Sequence, residues 1–374
     1  MAPATKSIDA LLAGWFLRRT PSTGVRRVAS LAAAVASDVG SVREENQDRV
    51  AIARGLDRSG RPYVALALAD GIGGMRQGAE CAAMTLGSFF AGIEQEAQSG
   101  TEVSTWLLQA AMRANSRVHA ELGGKGGATL VATLVLPGKN VHWLSVGDSR
   151  VHLSRGLSLH QVSTDDTIAG QLGKPPEAGL DRSNLLQFIG TGPQLEPHVE
   201  ALPHTDARSI LLTSDGVHFI DPAWLGQIVG HAPDAGMCVR RLVELSKWCG
   251  GPDNASVGMI ELDASLEWPN GGSWLGLEVW DSFGELHLIS TGPAPIAHPQ
   301  HIASRSMAGG SSQNAIDSDR TPDLASPPSK DKSKRTRSGR KPKGAAQKRT
   351  APKDGDAAPA ERPQLVIKFP NKTT

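Results

Sequence analysis

"LALADGIGG", residues 66–74, decides how the rest of this chain is read. Leu66, Ala67, Leu68 and Ala69 make an apolar run of strand length, and Asp70 puts a carboxylate at its tip, ahead of Gly71, Ile72, Gly73 and Gly74. A carboxylate on a strand end is rigidly held, and glycine beside it lets a bulky ligand approach the backbone. The phrase returns at "ILLTSDGVH", where Asp215 and Gly216 close the run 210–213, and in weaker form at "LSVGDSR", with Asp148.

Outward from that stretch, residues 63–69 read as a strand. Leu86, Phe89, Phe90 and Ile93 follow the spacing of a helix with one buried face, and Leu107, Ala111, Ala114, Val118 and Leu122 repeat it. Strands are expected at 128–135, 141–146 and 150–154, the first two joined by the turn "PGKN", and again at 210–213 and 256–262. Helical patterns cover 222–229 and 234–248. Strands, two helices, then more strands imply α+β layers rather than strict β-α-β alternation. Past Leu262, "WLGLEVWDSFGELHLIS" reads as a hairpin turning at 282–284. Residues 293–363 have almost no large apolar side chains and are expected to be disordered, before a strand-sized "QLVIKFP" near the end. The expected organisation is a lead-in at 1–34, a main domain at 35–262, an appended hairpin at 263–292, a basic tail at 293–363 and a strand-like segment at 364–374.

Charge is unevenly spread. The 374 residues carry a formal +1, yet 330–353 holds eleven Lys or Arg against the single acid Asp331, so the remainder is at −9. The three cysteines, Cys81, Cys238 and Cys249, show no CxxC spacing. That argues against a disulfide framework or zinc site and suits a reducing, cytoplasmic setting. No run approaches the ~18–20 apolar residues of a membrane span. The short "IDALLAGWFL" is followed at once by Arg18 and Arg19 and reads as an amphipathic lead-in, not a signal peptide.

Asp48, Asp70, Asp148, Asp215 and Asp253 all stand at strand ends or beside glycine. Gathered in one fold they would repel one another, and a hard divalent cation, magnesium or manganese, relieves this through oxygen ligands. Two such ions can polarise a phosphoryl oxygen and supply a nucleophile from water at neutral pH. The alternative is that each Asp is only a turn former or a cap, since Asp-Gly is a common turn dipeptide.

Taken in order, "SVREENQD", "ALADGIGG", "GGATLVATLV", "SVGDSRVHL", "VSTDDT", "ILLTSDGV" and "GGPDNASV" resemble the metal-dependent Ser/Thr protein phosphatases of type 2C in their bacterial form, over residues 36–262. The resemblance implies a four-layer α-β-β-α sandwich of two antiparallel sheets flanked by helices, with the metals at one end. It implies hydrolysis of phosphoserine and phosphothreonine by water activated between two Mn2+ or Mg2+ ions, with a weaker third. Asp70 would bridge the pair and the Gly71 carbonyl would bind one of them. Asp215 and Asp253 would complete the other ion's shell, Asp48 would hold metal-bound water, and Asp148 would serve the third ion. Arg43 would grip the phosphate, a task its planar fork suits. Asp165 and Asp166 match a further block without an assigned role.

Three positions depart from that pattern: Gln47 in place of a usual Glu, Ile72 where some members carry a histidine, and Ala255 in place of a larger residue. A cysteine nucleophile motif is absent, and "GGKGGAT" lacks the ending of a phosphate-binding P-loop. His119, His142, His152 and His160 lack metal spacing, and Trp106, Trp143 and Trp248 fit core or helix-face positions. The expected partners are a phosphoprotein substrate and a cognate Ser/Thr kinase in a signalling role. The basic tail could meet an acidic protein, nucleic acid or a membrane surface by charge. Two rival readings stand beside the phosphatase: a weakly active phosphatase-like binding module, and a metal-dependent phosphodiesterase or nuclease.

Overall fold

The computed structural model describes residues 7–72, 77–173, 185–202, 205–262 and 276–289, and the elements below are those of the described residues. The chain opens with α1 (Ile8–Phe16), β1 (Thr23–Val28), β2 (Ala33–Asp38), β3 (Asp48–Leu56) and β4 (Pro62–Asp70). Two long helices follow, α2 (Gly78–Ser99) and α3 (Val103–Leu122), then β5 (Leu130–Leu136), β6 (Asn140–Val146), β7 (Arg150–Arg155) and β8 (Ser158–Gln161). The last part comprises α4 (Ile168–Gln171), β9 (His198–Leu202), β10 (Ser209–Thr213), α5 (Asp215–His218), α6 (Pro222–His231), α7 (Ala235–Trp248), β11 (Ala255–Glu261), β12 (Gly276–Asp281) and β13 (Glu285–Ile289).

These strands build two antiparallel sheets, ordered β1-β2-β11-β10-β7-β8 and β13-β12-β3-β4-β5-β6-β9. Three apolar clusters fill the gaps between the layers: one between the sheets, one under α1–α3, one under α5–α7. The four-layer sandwich expected from the resemblance is the observed architecture.

The opening stretch shows how the layers are read from sequence. Side chains alternate across a strand. In β4, Val64, Leu66 and Leu68 therefore point into the gap between the sheets, while Ala65, Ala67 and Ala69 face the α1–α3 layer. The large side chains fill the inter-sheet space, and the alanines let α2 lie close. Gly258 of β11 makes room opposite: a Cβ there would stand 2.6 Å from Leu66. Each buried leucine contributes about 1.5–3 kcal/mol. Small residues also draw the helices together, since a Cβ on Gly87 would meet the Ala13 backbone at 2.7 Å and one on Gly92 the Ala110 backbone at 2.8 Å.

The described segments flanking the expected main domain are less separate from it than the sequence suggests. The boundary at residue 34 falls inside β2, which pairs with both β1 and β11. The lead-in helix α1 buries Leu12 and Phe16 in the core under α2. The hairpin past residue 262 extends the second sheet, with β12 beside β3 from Leu277↔Gly55 to Asp281↔Ala51. The basic tail at 293–363, the segment at 364–374 and Gly73–Gly74 lie outside the described residues. Among those described, no helix is long and apolar enough to cross a membrane.

Candidate active site

Asp48 and Asp70 face each other as the terminal cross-strand pair of β3 and β4. The β-register alone brings them together, because both strands stop at the same edge of the sheet. Asp70 is fixed by its backbone: its N–H donates to Thr129 Oγ1 at 3.0 Å and its carbonyl accepts from Thr129 N at 2.8 Å. Thr129 is in turn tied to Ser149 Oγ at 2.8 Å. Gly71 continues through a bridge to Ala128, which bridges to Ile189. A Cβ on Gly71 would stand 2.3 Å from the Gly78 carbonyl oxygen, so only glycine lets the strand end pass the start of α2.

The other carboxylates arrive from neighbouring elements. Asp215 opens α5 directly after β10, and Gly216 passes so near the Asn254 backbone that a Cβ would lie 2.0 Å from it. Asp148 sits in the β6–β7 turn, after Gly147 at φ +96°. Asp166 shapes that turn: its Oδ2 accepts from Gly147 N at 2.8 Å, and its Oδ1 pairs with His198 Nε2 at 2.9 Å. Asp253 precedes β11. There Arg43 donates to it twice, from Nε at 2.8 Å and Nη2 at 2.7 Å.

Electrostatics tie these residues into one group. Burial first, then the charges of Asp48, Asp215, Asp148 and Asp253, push the Asp70 carboxyl well above the usual carboxylate range. Burial raises Asp48 as well, against a hydrogen bond from Ser214 Oγ at 2.8 Å. Asp215 is raised by burial and then by Asp253. Asp148 is pushed up to about 7 by burial, then by Asp215 and Asp165. The Arg43 guanidinium is raised, first by its hydrogen bond to Asp253, and Asp215 and Asp70 add to the effect. Like charges in a poorly solvated place disfavour ionisation.

A metal fits these donors. Asp48 Oδ1 and Asp215 Oδ1 are buried with no hydrogen-bond partner, although a buried charged oxygen normally has one. The donor set is all oxygen, as hard divalent cations prefer. Among the described residues, no three His, Cys, Asp or Glu side chains stand grouped as they would to hold a metal ion. Asp253 is engaged by Arg43, and the remaining carboxylates repel one another. All seven positions expected from sequence thus lie at one end of the sandwich. Arg43, expected to grip phosphate, is held here by a carboxylate that offers its fork two oxygens, as a phosphate would.

An open cleft of about 530 Å³ borders this end, lined in part by Asp148, Asp215, Asp253, Arg150, His218 and Phe219. Asp165, without a role in the sequence reading, holds Arg150 in its wall through a bidentate pair with a closest approach of 2.7 Å. Sequence reasoning passed over Asn254. Its Oδ1 accepts from Gln47 N at 2.8 Å, and its Nδ2 donates to the Val39 and Glu45 carbonyls, both at 2.9 Å. That one amide fastens the loop carrying Arg43, and its place next to Asp253 was the available signal. Gln47 packs at the start of α2, 2.6 Å from where a Cβ on Gly78 would lie.

His119 Nδ1 bonds the Gly190 carbonyl at 3.0 Å, and burial pushes His152 down to about 3. Trp106 and Trp143 are core residues, while Trp248 is exposed.

Comparison with known proteins identifies the family. Protein phosphatase PhpP of Streptococcus pneumoniae is 28% identical over 242 residues, spanning 61% of this chain and 96% of that protein. Serine/threonine protein phosphatase PstP of Mycobacterium tuberculosis is 31% identical over 242 residues, 61% of this chain and 44% of that one. Among solved structures, the PPM Ser-Thr phosphatase MsPP of Mycobacterium smegmatis, in complex with cacodylate, superposes with a TM-score of 0.51 at 31% identity, covering 62% of this chain and 97% of MsPP. The family model for protein phosphatase 2C matches residues 41–235, just over half of the 374, and takes in every acid of the group except Asp253. The chain belongs to the protein phosphatase 2C family.

Proposed function

We propose that this chain is a metal-dependent phosphatase that removes phosphate from serine and threonine side chains of proteins, at the acidic end of the sandwich. The observation that carries the reading is the packing of Asp70 within the fields of four other carboxylates, two of which keep a buried oxygen without a donor. The names of two relatives, protein phosphatase PhpP and serine/threonine protein phosphatase PstP, support the substrate class.

Asp70, the Gly71 carbonyl, Asp215 and Asp253 would hold two Mn2+ or Mg2+ ions, with Asp48 beside them and Asp148 at a weaker third position. Such ions neutralise charge on a transferring phosphoryl group and lower the pKa of water. The protein's own part is placement. Asp48, oriented by Ser214, is set to accept a hydrogen bond from the attacking water. Arg43, with its side chain 45% exposed, can exchange Asp253 for two phosphoryl oxygens, since its fork fits either partner. Positioning and charge neutralisation are the main requirements of phosphoryl transfer.

Hydrolysis of a phosphothreonine peptide and of p-nitrophenyl phosphate, with and without manganese and alongside single-stranded DNA, tests this. The expected result is phosphate release that manganese restores after chelation, with the DNA intact. Peptide binding without turnover would instead support a binding module, and DNA degradation a phosphodiesterase.

A further inference from the structure

Helix α1 and the β12–β13 hairpin both lie outside the residues matched by the family model, yet they meet beside Asp48. Asp281, the last residue of β12, is buried. Its Oδ1 accepts from Phe283 N at 2.8 Å, Gly284 N at 2.7 Å and Arg18 Nη2 at 2.7 Å, and its Oδ2 stands 2.7 Å from Arg18 Nη1. Arg18 also donates to the Trp15 carbonyl at 2.7 Å, with its guanidinium carbon 4.0 Å from the Trp15 ring centre. The final carbonyls of a helix have no partner within it and attract cationic donors. A second arginine uses the next one: Arg49 Nε donates to the Phe16 carbonyl at 2.7 Å. The same guanidinium reaches back through Nη1 to the Asn46 carbonyl at 2.8 Å and the Asp48 carbonyl at 2.7 Å.

We infer that Arg49 is a positioning residue for Asp48, and that α1 and the β12–β13 hairpin act as a brace holding it in place. Three carbonyls on one rigid, planar group fix both its plane and the turn that it spans. Lysine at this position would keep the charge and lose the fork. The last turn of α1 is anchored by Phe16 in the core and by Arg18 on Asp281, so the brace is stiff at both ends. Only the consequence for turnover rests on the phosphatase reading. The mechanical link does not.

Hydrogen exchange and kinetics on the full chain, with Arg49→Lys and Arg18→Ala, test both parts. The reporters are the amides of Gln47 and Asp48, which donate to Asn254 Oδ1 and Asn46 Oδ1. Both variants should exchange there at least ~10-fold faster, while the amides of α2 keep their protection and show the fold intact. With manganese, kcat should fall about tenfold for Arg49→Lys and less for Arg18→Ala, at a KM for p-nitrophenyl phosphate within about twofold of the parent. Parent-like exchange in Arg49→Lys overturns the inference. So does faster exchange with unchanged kcat in a parent that turns over. If the parent releases no phosphate, the phosphatase reading falls, and the exchange result still decides the brace.

Discussion

The β3–β4 hairpin ends in aspartate at both ends, and the two ends are treated in opposite ways. At the turn, Asp57 is fully engaged by its own chain: Oδ1 accepts from Ser59 N at 2.9 Å, Ser59 Oγ at 2.6 Å and Arg61 N at 2.8 Å, and Oδ2 from Arg61 Nε at 2.9 Å. At the open end, Asp48 faces another carboxylate, Asp70, and one of its oxygens has no donor. Asp281 and Asp165 follow the turn's pattern, each held by an arginine. Burying a charge without a partner is costly, so a fold selected for stability alone would pair the open end too. The difference teaches where the chain is built to receive charge from outside.

The hardest test of that contrast removes one unsatisfied carboxylate. Asp215→Asn keeps size and shape but should lower kcat by at least ~100-fold, since even outer partners of metal ligands are worth 10–100-fold in affinity or activity. Arg43→Ala frees Asp253 from its ion pair, so it should not weaken manganese binding and should raise KM instead. Excess manganese should therefore rescue Asp215→Asn in part and Arg43→Ala not at all. Calorimetric manganese titration with p-nitrophenyl phosphate kinetics reads both. An Asp215→Asn protein that binds manganese and turns over like the parent would reduce the open end to ordinary turns.

A second test sharpens the comparison through pH. Asp148 is raised to about 7, and Asp48, Asp70 and Asp215 are raised as well, against an unfolded value near 3.9. Between those limits the folded chain binds more protons than the unfolded one. Stability in a chelator should then fall as pH rises from about 5 to 8, the reverse of ordinary acid lability. Each kcal/mol lost lowers Tm by about 2–4 °C at this size, and manganese should cancel the slope. Thermal melts at the two pH values decide; a flat or rising Tm in chelator counts against unsatisfied charge at this end.

The smallest effect on turnover belongs to the satisfied end. Asp57→Ala removes hydrogen bonds to a charged acceptor and should cost about 1.5–3 kcal/mol of stability. Manganese-dependent kcat should stay within about twofold. If kcat collapses while the protein remains folded, the two ends of the hairpin are not independent.

Much of this was legible in the residues. The Leu/Ala alternation of β4 marks a strand with two covered faces, and the helical spacings at 86–93 and 107–122 correspond to α2 and α3. Asp-Gly at two strand tips pointed to the candidate site, because glycine there serves close backbone approach. What stayed hidden was carried by long-range contacts between polar groups. Arg49 looks like a surface strand residue until the Phe16 carbonyl meets it, and Asn254 looks like a turn former until its amide is seen to fasten the 39–47 loop. Neither contact leaves a periodic trace.

From local periodicity and turn chemistry the sequence determined β4–β7, β10, β11, the helices α2, α3, α6 and α7 and the β12–β13 hairpin, and through the resemblance the layering and the family. It did not mark β1, β2, β3, β8 or β9 as strands. Tertiary structure alone decided which carboxylates share a field, that Arg43 is held by Asp253, and that the first helix and the last hairpin belong to the sandwich. The physical reason is distance along the chain. Arg18 and Asp281 are 263 positions apart and Arg43 and Asp253 are 210, and only helix packing and the pairing of distant strands bring such pairs within reach of a hydrogen bond.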